Sequence, residues 1–168
     1  IEHASLMTDQ MFAEIANSEM NYALVTQPIF FFAEDESYRH YLSPAQFKLA
    51  YRVKTMLNSQ AMLGLSSDAP CTPWAEPDSP FYSIYAAVTR KAANDDVVNA
   101  EEAITVPQAI LGYTRDGAKI GGFDDNGTLE VGKAADFVIL NDDIFTVPHD
   151  DLKNIHVNET WMAGKRVK

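Results

Sequence analysis

Ala61-Met62-Leu63-Gly64-Leu65-Ser66-Ser67-Asp68-Ala69-Pro70 reads as a short buried strand that delivers a carboxylate at its C-terminal end. Five apolar residues in a row, closed by serines and a proline, are the pattern of a strand covered on both faces. Two other segments have the same form. Tyr22-Ala23-Leu24-Val25 is apolar and ends at Gln27-Pro28, where a proline is at home after a strand. Ile1-Glu2-His3-Ala4 reads as the end of a strand carrying a histidine.

Helical signals lie between these strands. Thr8 is an N-cap for a helix with Met11, Phe12, Ile15 and Ala16 on one face. Ser43-Pro44-Ala45-Gln46 is a capping box, and Phe47, Ala50, Val53 and Leu57 follow at helical spacing. The mixed aromatic and charged stretch 30–42 shows no period and reads as a loop, as do residues 70–80 with four prolines. Ser79-Pro80 opens a helix to about Lys91, residues 92–104 are polar, and Thr105-Val106-Pro107-Gln108 is a second capping box. Alternating strands and helices favour a parallel sheet with helices outside, an α/β fold in which reactive groups gather where strands end. From Gly122 the chain changes character. Asn126-Gly127 marks a turn, Phe137-Val138-Ile139-Leu140 a strand, and Ile155 to Val167 a hairpin with Ala163-Gly164 near its turn.

Composition excludes several classes. A formal net charge of −11, without clusters of Lys and Arg, argues against nucleic-acid binding. Apolar runs such as Ile29–Phe32 are far too short to span a bilayer, and no secretory signal pattern stands at the N-terminus. The single cysteine, Cys71, rules out an internal disulfide and fits a reducing, cytoplasmic setting. A packed, inert thiol is the expectation for it.

Several segments, in order, resemble the amidohydrolase superfamily, in the branch of metal-dependent hydrolases related to N-substituted formamide deformylase and YtcJ. They are Ile1-Glu2-His3-Ala4, Gln27-Pro28, Ser66-Ser67-Asp68-Ala69-Pro70, Ile84-Tyr85-Ala86-Ala87-Val88-Thr89-Arg90-Lys91, the run from Gly127 to Leu140, and Thr160-Trp161-Met162-Ala163-Gly164-Lys165. The resemblance implies the C-terminal part of a TIM-like (β/α)8 barrel, about three strand–helix units over residues 1–121. The strands of a small β-sandwich would follow over 122–168. His3 would match the histidine of the sixth barrel strand, a metal ligand. Asp68 would match the aspartate after the eighth strand, at once a ligand and the catalytic group that holds the attacking water and shuttles its proton. The cofactor implied is a divalent metal, zinc by preference, and the substrate a small amide or formamide. The family's other ligands would lie before Ile1. The expectation is therefore a C-terminal fragment that self-associates or joins its missing N-terminal part, and whose metal site is incomplete. The alternative is an inactive fragment or assembly module without metal.

The remaining candidates have plainer readings. Ser66 and Ser67 lack a Gly-x-Ser-x-Gly elbow and read as turn formers. Gln27 reads as structural, and His40, His149 and His156 as solvated. Asp142-Asp143 and Asp150-Asp151 lack the spaced oxygen ligands of a calcium loop. Phe30, Phe31, Phe32 and Tyr38 would line a substrate entrance or form an exposed apolar surface.

Overall fold

Parallel pairing organises the first two thirds of the chain. In this computed structural model, which describes residues 1–72 and 74–168, β1 (Ala23–Thr26) and β2 (Met62–Leu65) run side by side, Ala23 opposite Met62 and Thr26 opposite Leu65. Ile1 takes the other edge of β1. Its amino group donates to Ala23 O at 2.7 Å and its carbonyl accepts from Val25 N at 2.9 Å, so it brackets Leu24 as a parallel partner does. Parallel neighbours need long crossovers, and helices supply them. α1 (Asp9–Ala16) follows the first segment. α2 (Pro28–Tyr41), α3 (Pro44–Phe47) and α4 (Val53–Leu57) follow β1, and α5 (Pro80–Thr89), α6 (Val106–Tyr113) and α7 (Arg115–Gly121) follow β2. The result is a mixed α/β arrangement with three segment ends on one side.

The caps read from sequence form as expected. Thr8 Oγ1 accepts from Met11 N at 3.2 Å, and Ser43 and Thr105 each close a capping box with Gln46 and Gln108. Two expectations fail. Residues 30–42 are not a loop but most of α2. The stripe Phe31, Asp35, Tyr38 has helical spacing, but its polar members hid the period. Asp35 is buried because Arg39 Nε, one turn on, donates to it at 2.7 Å. Phe31 and Phe32 are accordingly core residues, 1% and 4% exposed, rather than an exposed surface. The helix expected from Ser43 through Leu57 breaks between α3 and α4. Ala50 bridges Leu6, Tyr51 N donates to Ser5 O at 2.9 Å, and Tyr51 takes φ 50°. Pairing with the segment after Ile1, supported by Asn99 Nδ2 donating to Phe47 O at 3.0 Å, outweighs local helix preference. Pro73, one of the four prolines of the 70–80 stretch, lies outside the described residues.

The core sits between the strands and α2, α4 and α5, and includes Leu24, Ile29, Phe31, Tyr51, Val53, Met56, Ile84 and Tyr85. It also holds a cation. Arg90 ends α5 in the left-handed conformation, φ 58°, and is fully buried. Its Nε donates to Val98 O at 2.9 Å and its guanidinium lies 4.3 Å from the Phe31 ring centre. Burial lowers its pKa to about 10, against the pull of Glu102 and Glu101, so it remains charged at neutral pH.

The tail is antiparallel. β3 (Phe137–Leu140) pairs with β4 (Val157–Met162), which turns through Ala163 and Gly164, φ 48° and 73°, into β5 (Lys165–Arg166). Positive φ at both central residues is the hairpin turn that matches strand twist. Asp136 fixes this turn: one carboxylate oxygen accepts from Ala163 N at 2.7 Å and the other from Asn126 Nδ2. The aspartate of the Glu130-to-Leu140 run is thus structural. Among the described residues no helix is long and apolar enough to cross a membrane.

Candidate metal and catalytic site

The three segment ends meet at Gln27. Strand β1 ends at Thr26, so the next side chain emerges at the rim, and Gln27 is fully buried there. Its Oε1 lies 3.1 Å from His3 Nδ1, and its Nε2 donates to Glu2 Oε1 at 2.7 Å and to Ser66 Oγ at 2.8 Å. One side chain therefore ties the ends of all three parallel segments together. Gln27 is structural, as read from sequence, but its place is at the centre of the rim that carries His3. Glu2 and Ser66 were visible in sequence only as neighbours of His3 and Asp68.

His3 and Ala4 both have positive φ, 66° and 45°, a strained conformation of the kind found at functional sites. The His3 ring is 6.1 Å from that of Phe30, a half-buried residue in the first turn of α2. Beyond β2, Asp68 also has positive φ, 51°, and its carbonyl accepts from Cys71 N at 2.8 Å. Thr72 donates to Ser67 O, and Tyr113 Oη, from α6, donates to Ser66 O at 3.1 Å. These bonds hold the backbone around Asp68, a half-buried residue. Burial raises the Tyr113 phenol above its ordinary value, so it stays protonated and keeps donating. Nothing in the sequence marked Tyr113, because its partner is a backbone carbonyl far along the chain.

The donor chemistry of His3 and Asp68, an imidazole and a carboxylate, suits a borderline divalent metal. Among the described residues His3 uses only Nδ1, which leaves Nε2 for a ligand bond. Yet no group of three or more His, Cys, Asp or Glu side chains that could hold a metal ion is found among the described residues. His3 and Asp68 are each of a donor type that fits such an ion.

The other candidates are dispersed. His40 stands edge-on to Tyr41 at 4.7 Å, exposed at the end of α2. His149 and His156 are exposed. Asp150 accepts from Lys91 Nζ at 2.6 Å, which holds its carboxyl below the usual range, and Asp143 caps its own turn. Cys71 is exposed rather than packed. Its backbone N donates to Asp68 O in the turn that follows β2.

A family profile described as "Amidohydrolase family" matches residues 1–168. The N-substituted formamide deformylase of Arthrobacter pascens is 28% identical over 115 residues, covering 68% of this chain and 20% of that protein. YtcJ of Bacillus subtilis (strain 168) is 28% identical over 169 residues, 98% of this chain and 31% of its own. The crystal structure of an uncharacterized metal-dependent hydrolase from Pyrococcus horikoshii OT3 superposes with a TM-score of 0.74 at 29% identity, over 89% of this chain and 30% of that one. The chain thus spans about a third or less of the length of these relatives.

Proposed function

The chain belongs to the amidohydrolase family, and from that premise we propose that it supplies the C-terminal part of a cytoplasmic metal-dependent hydrolase acting on non-peptide C–N bonds of amides or formamides. The observation that supports this reading is the convergence of His3, Gln27 and the Ser66–Asp68 segment at the C-terminal ends of parallel strands. Reactive groups collect at that end of barrel strands. In this reading residues 1–121 are the last strand–helix units of a (β/α)8 barrel and 122–168 are strands of a small sandwich.

A bound divalent metal, zinc by donor chemistry, would act as a Lewis acid toward the substrate carbonyl. The chain's own residues would do the rest. His3 would hold the ion through its free ring nitrogen. Asp68 takes a proton from the attacking water and returns it to the leaving nitrogen, so that the amine departs neutral. Phe30 gives the rim an apolar wall beside His3.

In this reading His3 and Asp68 are part of a ligand set that further segments, of the kind the longer relatives possess, would complete. An apolar cleft of about 980 Å³ between α5–α7 and the β3–β4 sheet is consistent with such association, or with self-association. The test is amine release from a panel of N-substituted formamides and simple amides. We expect release by the polypeptide in which this chain follows the upstream part its relatives possess, or by the two parts mixed. A chelator should abolish it and the chain alone should give none. Full activity of the chain alone, or activity indifferent to chelator, would contradict the proposal.

A further inference from the structure

We propose that Glu2 and Gln27 together set the tautomer of His3, placing the proton on Nδ1 and leaving Nε2 as the bare, lone-pair nitrogen at the rim of the strands. The inference follows from which groups can donate. An ionised carboxylate only accepts, so the Gln27 amide atom 2.7 Å from Glu2 Oε1 must be the nitrogen. The same nitrogen lies 2.8 Å from Ser66 Oγ, so both amide hydrogens are used. Turning the amide over would press its oxygen against the Glu2 carboxylate, two acceptors in contact. The carbonyl oxygen therefore faces His3 Nδ1, at 3.1 Å. A carbonyl oxygen can only accept, so Nδ1 must carry the hydrogen. In a neutral imidazole the other nitrogen then has the lone pair.

Gln27 and Glu2 are thus positioning residues that act through His3. They select the ring nitrogen able to bind a metal or take a proton, against the preference of a solvated imidazole for a proton on Nε2. The use of that nitrogen as a metal ligand rests on the function proposed above; the tautomer does not.

The experiment reads the tautomer in the metal-free chain. Two-bond proton–nitrogen correlation spectra of 15N-histidine-labelled protein, recorded above the imidazole titration range, show which ring nitrogen is protonated. His3→Gln assigns the signals, and the exposed His40 and His149 serve as solvated references in the same spectrum. We expect His3 to be protonated mainly on Nδ1 and the references mainly on Nε2. Gln27→Met should return His3 to the reference pattern. Glu2→Ala, at an exposed position that tolerates change, frees the amide to turn so that its nitrogen donates to Nδ1, and should move the proton to Nε2. Should Gln27→Met fail to fold, Glu2→Ala decides alone. A wild-type His3 protonated on Nε2, or a pattern unchanged by Glu2→Ala, would overturn the inference. The expected tautomer shifts in a protein whose metal content ignores His3→Ala would sustain the inference and remove the metal reading.

Discussion

Asp68→Asn lowers kcat by about 10²–10⁴-fold in the active polypeptide, with a modest change in KM, because general acid–base catalysis by one side chain is worth that much. Asparagine keeps the shape and the half-buried position and loses only the basicity. A group that takes a proton early and returns it late acts in the transition state more than in the substrate complex, so the loss falls on turnover. The backbone around it should not move, since the bonds from Cys71 N and Thr72 are made to the main chain. Steady-state kinetics with a substrate from the amine-release panel reads the effect. Near wild-type turnover would reduce Asp68 to a turn residue.

Phe31→Ala lowers the stability of the folded chain by about 3–5 kcal/mol, the usual cost of emptying a large aromatic site in a core that relaxes only in part. Phe31 is 1% exposed, packs on Tyr51 at 5.7 Å between ring centres, and covers the Arg90 guanidinium at 4.3 Å. Its removal leaves a buried cation beside a void, and the terminal nitrogens of Arg90 already have no protein partner among the described residues. Phe30→Ala, one residue away and half-buried, should cost clearly less. Urea unfolding of both variants with unchanged m-value is the measurement. Equal losses for the two would contradict the placement of Phe31.

The elements that were legible in the sequence are those set by local chemistry. Capping boxes at Ser43 and Thr105, the apolar runs of β1 and β2, and the Ala163–Gly164 turn all announce themselves within a few residues. What stayed hidden depends on distant partners. α2 has Asp35 in its buried stripe because Arg39 and the fold compensate it, so its period was invisible. The break at Ala50–Tyr51 comes from pairing with Ser5 and Leu6, some 45 residues earlier in the chain. His3 and Asp68 could be named as candidates from motifs, whereas the Glu2–Gln27–Ser66 connection requires three segment ends to be adjacent. Sequence marks the reactive residue types; only the parallel register shows what holds them.

Metal content measures the proposed division of the site most directly. Elemental analysis of protein purified without chelator should find no stoichiometric divalent metal in the chain alone, because the proposal makes His3 and Asp68 only part of a ligand set. The polypeptide that also carries the upstream segments should hold zinc or a similar ion, lose it with His3→Ala, and lose less of it with Asp68→Asn. One tightly bound ion per isolated chain would contradict the division of the ligand set, and a full metal complement in the larger His3→Ala protein would show that the strand-end rim built around Gln27 is not part of the metal site.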